Sequence, residues 1–468
     1  MTFPTRVEAA PSVSPPGTSG DAPPQARWGL LVVLGATMLL DAVEVSTMIV
    51  AAPAAGRALS LSPAGSHWLI SGFALGFAAA LLPGTQAVAR FGRRRVYLAA
   101  LLVFAVASLA GGLAPGLGPL IATRVVKGVC AALTAPTGLA IIVASFPAGP
   151  ARERAMAVYT TLGAAGFAAG LLLAGVLGTA SWRWTLLFPA PVALALLAAG
   201  RRLIPPDGPG VRRGGPLVRP RLLRHRALAR SMTGAAALNG SHIGVMFIVS
   251  SHLQDALGWS PLAAAAGMVV ASAPLAVAAP LSGRLVARFG TARLIAVGMV
   301  GPVVGYALYL RLPWPGSYAA DVLPTLVCVA WGFALAFAAL NRQATAGVPD
   351  RDKADAIAHY QTAVQLAAAV VTPAVAALLA RSAPPPGRAG GAALVASYRP
   401  GVALVCAVGL IGALGCVPFP RGARRRSDMR TAHRGADPIS PTATPTAGTP
   451  VAAAPGRSTA GEPTPPGA

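Results

Sequence analysis

Apolar runs long enough to cross a bilayer recur along the chain, at residues 28–52, 66–88, 96–114, 118–146, 155–179, 183–200, 228–253, 261–286, 292–311, 318–341, 355–380 and 397–418. Each approaches the ~20 residues that a helix needs to span a ~30 Å hydrocarbon core. Lipid admits only helices and closed barrels, because backbone polar groups find no water there. The pattern predicts an all-α polytopic membrane protein of about twelve spans. Polar segments divide it into a disordered stretch at 1–27, a six-helix half at 28–200, a basic linker at 201–227, a second six-helix half at 228–418, and a disordered Pro/Thr/Ala-rich stretch at 419–468.

Short loops between the runs carry arginine on alternate sides. One side holds Arg90, Arg93, Arg94 and Arg95, Arg152 and Arg154, the linker, Arg288 and Arg293, Arg342, Arg351 and Lys353, and Arg421 with Arg424 to Arg426. The other holds Arg57, Arg183, Arg311, Arg381, Arg388 and Arg399. Cytoplasmic loops are richer in Lys and Arg, so the linker and both termini are expected in the cytoplasm of a bacterium, with the spans in its plasma membrane. "VARFG" occurs at 88–92 and again at 286–290, each time where the second span of its half ends on the basic side. Two related halves around a midplane site is a plan common among secondary transporters.

Composition sharpens this picture in two respects. Charged residues make up 11% and hydrophobic residues 54% of the 468, against about 25% charged in a soluble domain. The formal charge of +24 would suit nucleic acid, but its scatter over alternate loops excludes a nucleic-acid face. Cys130, Cys328, Cys406 and Cys416 all lie in apolar runs without paired spacing, as small core residues do. No metal-ligand spacing, nucleophile elbow or phosphate loop is present, so no enzyme is expected; the glycines of "GAAGFAAG" lack a following Walker lysine.

Two acids interrupt the first span. In "LLDAVEVSTMIVAAP" (39–53), Asp41 and Glu44 share one helical face about 4.5 Å apart along the axis. Arg124 and Lys127 repeat that spacing in the fourth span. At ~1.5 Å per residue Glu44 lies about 25 Å from Arg27, and Arg124 about 8–13 Å from the loop at 115–119, depths that are compatible within the bilayer. The expectation is that Glu44 faces Arg124 and Asp41 faces Lys127. A mid-helix charge costs ~2.5–3.5 kcal/mol on insertion scales, so four on two helices need mutual compensation. They form either a structural clamp or a proton site, since a carboxylate stripped of its cationic partner takes up a proton more readily.

Several motifs together resemble the major facilitator superfamily over nearly the whole membrane region. "VARFGRRR" is similar to the family's loop between helices two and three, and "LIATRVVKGVCAAL" to its fourth-helix motif with a buried arginine, here Arg124. "WRWTLLF", "LQDALGWSPLAAAAG" and "LD" at 40–41 resemble the drug:proton antiporter branch in its fourteen-helix subfamily, although the extra helix pair is absent. The chain departs from the family at three places. The loop aspartate is Ala89, and Ala287 in the second copy; Leu171 and Ala174 stand in the fifth-helix G-P-x-x-G-G signature; the fourth-helix glutamine is Lys127.

The resemblance implies export of small amphipathic molecules by alternating access, driven by the proton gradient without a bound cofactor, through a monomer. Asp41, Glu44, Arg124 and Lys127 would couple protons. Gly163, Gly166, Gly170 and Gly175 would pack the fifth helix and seal it against leak. Arg90, Gly92, Arg93, Arg94, Arg284, Arg288 and Gly290 would either gate the cytoplasmic loops or set topology. Asn239, His242, Gln361 and Gln365 either line the substrate cavity or cross-link helices, and Phe73, Phe77, Trp331, Phe333 and Phe337 either line it or pack elsewhere. His67 and His359 are expected near wet span ends. A uniporter or metabolite importer fits the lost proline; a non-transporting sensor or scaffold would have to dock through 419–468.

Overall fold

The computed structural model describes residues 24–61, 63–147, 149–207, 220–311, 316–349, 352–383 and 391–416. The disorder expected at 1–27 and 419–468 therefore lies, apart from residues 24–27, outside the described residues, as do residues 208–219 of the linker. Residues 24–27 are helical: α1 runs Pro24–Ala58. It is followed by α2 (Trp68–Phe91), α3 (Arg93–Gly112), α4 (Leu117–Ser145), α5 (Pro150–Ala180) and α6 (Pro189–Leu203). The second half comprises α7 (Arg226–Ser251), α8 (Pro261–Val269), α9 (Ala273–Phe289), α10 (Thr291–Leu310), α11 (Leu323–Ala344), α12 (Lys353–Ser382) and α13 (Gly391–Cys416). There is no strand among the described residues.

Eleven of the described helices are long and apolar enough to cross a membrane. The twelfth run, 261–286, is two pieces. Pro274 has no N–H for the carbonyl four residues back, and the chain passes from α8 to α9 through three-residue turns, Ala271 N to Met268 O and Ser272 N to Val269 O, both 2.9 Å. Interior prolines elsewhere, Pro53, Pro83, Pro136, Pro302, Pro373 and Pro400, leave their helices continuous.

The repeat read in "VARFG" is also a repeat in space. Gly92 and Gly290 both adopt positive φ, +87° and +76°, and turn the chain sharply from one helix into the next. Positive φ is open to glycine without steric penalty. Before them Arg90 lies over Phe91 and Arg288 over Phe289, at 5.3 and 5.4 Å.

Three apolar cores organise the helices. One, around Leu31, Leu101, Ile142 and Leu197, is drawn only from the first half; another, around Leu238, Met299, Leu340 and Tyr360, only from the second. Both lie toward the end where α6 finishes and α7 begins, the linker end. The third draws on both halves at the far end, joining Met48, Leu69 and Leu171 to Phe247, Met268 and Val375. There α2 packs on α12 and α5 on α8, and both halves belong to one compact unit. Arg57 meets Asp255 at 2.6 Å across the same seam, and Gln254 Nε2 donates to Val50 O there at 3.2 Å.

Candidate functional site

Asp41 and Glu44 meet α4 in the first half, and all four charged side chains are buried. Glu44 takes both cations. Arg124 Nη1 donates to Glu44 Oε2, and Lys127 Nζ to Oε1 at 2.6 Å. The other two guanidinium nitrogens are also held: Nη2 by the Glu44 carbonyl at 3.0 Å and Nε by the Leu69 carbonyl of α2 at 2.8 Å. Phe73 lies 5.0 Å beneath the guanidinium and Phe104 5.0 Å from the Lys127 ammonium. Arg124 thereby ties α1 and α2 to α4 at one point.

The expected pairing of Asp41 with Lys127 does not form. The reason lies in side-chain direction: Cβ atoms tilt toward the N-terminus of their own helix. On the antiparallel α1 and α4 this sends Lys127 toward the far end, where Glu44 is, and Asp41 toward the linker end. Asp41 Oδ2 instead accepts from Thr134 Oγ1 at 2.7 Å, and Asp41 has no ion pair among the described residues. Thr134 was absent from the residues singled out by sequence, although it stands seven residues beyond Lys127, two turns along the same face. Its hydroxyl also lies 3.1 Å from Cys130 O and 3.2 Å from Ala131 O. One hydroxyl proton can serve only one of these acceptors at a time.

The glycines of α5 divide between two contacts. A Cβ at Gly166 would stand 2.6 Å from Leu39 O, and one at Gly170 2.7 Å from Val43 O, so these two seat α5 on α1 within the first half. Gly163 faces the Met38 side chain of the same helix. Gly175 lies against α8 in the other half, where a Cβ would be 2.8 Å from that of Ala265. A second glycine contact went unread: Gly76 of α2 and Gly128 of α4 meet the Val125 and Phe73 carbonyls respectively.

At the linker end Arg93 Nη1 donates to Ala140 O at 3.2 Å and Arg94 Nη2 to Arg201 O at 2.6 Å. Asp207, also unread, accepts from the backbone N–H groups of Arg93 and Arg94, each at 3.1 Å, and so caps α3. Arg284 and Arg288 are exposed.

The polar candidates of the second half separate as well. Asn239 Nδ2 donates to Val364 O at 3.0 Å, cross-linking α7 to α12. Gln361 and Gln365 are partly exposed and make no hydrogen bond among the described residues. His242 is buried between Phe167 of the first half and Phe333. Trp331 points outward, 49% exposed, and Phe73 is committed to Arg124. His67 and His359 are buried rather than wet, because the apolar far-end and linker-end packing continues past the positions where hydropathy fades.

Comparison with known proteins places this geometry. The description "Major Facilitator Superfamily" matches residues 33–372. The puromycin resistance protein pur8 of Streptomyces alboniger is 29% identical, covering 82% of this chain and 90% of that protein. The cephamycin export protein CmcT of Amycolatopsis lactamdurans is 36% identical over 37% of this chain and 36% of its own length. Among solved structures, a bacterial homolog of the human lysosomal transporter Spinster aligns with a TM-score of 0.68 at 18% identity, covering 84% of this chain and 96% of that one. The D-xylose–proton symporter aligns at 0.65 and 16% identity, covering 84% and 97%. The chain is a multi-pass membrane protein, a transporter rather than an enzyme, and belongs to the major facilitator superfamily.

Proposed function

We propose that this protein exports small amphipathic molecules from a bacterium in exchange for protons, as a monomer in the plasma membrane with its linker end in the cytoplasm. The names of its relatives, resistance and export proteins among them, support the direction. The excess of arginine in linker-end loops supports the orientation. The far end is closed by a core that both halves share, and each half has a further core of its own toward the linker end.

The observation that carries proton coupling is the unequal treatment of the two acids. Glu44 is held by two cations and acts as the clamp. Among the described residues Asp41 hydrogen-bonds only to a hydroxyl, which can reverse its role. When Asp41 is ionised, Thr134 donates to it. When Asp41 is protonated, it donates to the Thr134 oxygen, and the hydroxyl turns to the Cys130 carbonyl. The Asp41–Thr134 hydrogen bond is kept in both states without moving a helix, so a proton can be loaded and unloaded here.

The test uses everted vesicles with an acidified lumen and a pH-sensitive dye. Adding a substrate should alkalinise the lumen with wild-type protein and with Thr134→Ser. Asp41→Asn should express normally and move no protons. Proton movement that persists in Asp41→Asn would overturn the assignment, and labelled-substrate flux indifferent to the gradient would establish uniport.

A further inference from the structure

His242 sits where the far-end core meets the linker-end core of the second half. Its ring centroid is 4.6 Å from Phe333 of α11 and 6.0 Å from Phe167 of α5, the latter a contact between the halves. Phe333 stacks in turn on Phe337, at 5.0 Å and 16° between planes. The imidazole is only 5% exposed, and its buried Nδ1 has no hydrogen-bond partner among the described residues. An unpaired buried polar atom gives up its hydrogen bonds to water with nothing in return, so this is an expensive place for a histidine that serves packing alone. Phenylalanine or leucine would fill the same gap without that penalty.

We propose that Phe167, His242 and Phe333 form a slot for a planar aromatic ring bearing an N–H or O–H donor, which stacks on Phe167 while its donor substituent reaches the imidazole Nδ1 in the plane of that ring. The inference rests on the transport reading above and names the substrate class for it. The two rings are in contact and tilted by 50° to each other, so the slot is closed in this conformation. A ring stacked on Phe167 needs a van der Waals separation of about 3.5–4.0 Å, so Phe167 and His242 must move apart to admit it. The two rings stand on opposite halves, and a ligand inserted between them therefore acts on the relative position of those halves.

The slot is also tied to the acid. Phe167 follows Gly166, whose backbone rests on Leu39 and Ala42 of α1, directly beside Asp41. Displacing Phe167 strains the helix contact that carries Asp41 against Thr134. Substrate entry and proton release would in this way share one rigid pair of helices.

The test compares two lipophilic monocations: ethidium, planar with aryl amine donors, and tetraphenylphosphonium, propeller-shaped with none. Their binding to purified protein in nanodiscs is measured for wild type, Phe167→Leu, His242→Leu and His242→Phe, each checked for an unchanged elution profile and thermal unfolding. Phe167→Leu and His242→Leu should raise the ethidium Kd by about tenfold, and His242→Phe by about fivefold through the lost hydrogen bond. Tetraphenylphosphonium should change by less than about twofold in all three. Equal loss of both probes, no loss of ethidium, or no ethidium binding to wild type would overturn the slot. Gradient-driven accumulation of tetraphenylphosphonium in everted vesicles is the separate arm. If it persists while the ethidium result fails, transport stands without the slot; if wild type accumulates neither compound, the transport reading falls first.

Discussion

At the scale of single residues, the charged cluster converts a symmetrical sequence pattern into two unequal acids. Glu44 pairs with both Arg124 and Lys127, so replacing it leaves two buried cations without an ion-pair partner among the described residues. Breaking a buried pair by removing one partner costs about 3–5 kcal/mol. Glu44→Gln should therefore lower the unfolding temperature and yield of purified protein sharply, as read by thermal unfolding in detergent. Asp41→Asn keeps an acceptor for Thr134 and leaves no cation stranded, so it should unfold close to wild type. Equal destabilisation by the two substitutions would contradict this division. The four charges were legible in the sequence because carboxylates and cations are rare inside a span. Their partners were not, since pairing depends on which way each side chain leans, and Thr134 carries no charge to draw attention to it.

At the scale of helices, close approach is set by glycine, and the stripe on α5 does two jobs. Gly166 meets backbone within its own half. Gly166→Ala should cost about 1–3 kcal/mol, the usual penalty for overpacking, and should be seen as a lower unfolding temperature. Gly175 meets the other half at α8. Gly175→Val should instead leave each half folded and disfavour the closed far end, measured as faster labelling of a cysteine placed at Leu262. A four-residue repeat of small residues shows that something packs closely; which helix packs there is set by topology, and the repeat alone carries no sign of it. Asp207 was hidden for a related reason. Its partners, Arg93 and Arg94, lie more than a hundred positions earlier in the chain, and an acid in a Pro/Gly linker has no local signature of a helix cap. The span count was legible except at 261–286, where hydropathy ran on through a run whose helix Pro274 interrupts.

At the scale of the whole molecule, the seam between halves is mostly apolar, with the Arg57–Asp255 pair at its rim. Both side chains are substantially exposed, 56% and 38%, and such pairs contribute about 0.2–1 kcal/mol. Arg57→Ala should thus leave stability almost unchanged while shifting the balance between closed and open far ends by at most about fivefold, visible by double electron–electron resonance between labels on α1 and α7. A chain with Arg57→Cys and Asp255→Cys, its four native cysteines replaced, should lose transport on oxidation and regain it on reduction. The repeated "VARFG" was legible and recurs as a turn at Gly92 and Gly290; the shared far-end core was not legible, because contacts between distant spans leave no periodicity in either.

That division of the interior into one shared core and two private ones has a consequence for how much the covalent chain is needed. Each half already owns a core at the linker end, and what recognises the other half is the apolar far-end surface. A gene cut in two within codons 208–219, with both fragments translated together, should yield a complementing heterodimer that co-purifies through a tag on either piece. The peptide connection would then serve chiefly to raise the local concentration of one fragment about the other, and the transporter would behave as a dimer whose subunits happen to be fused.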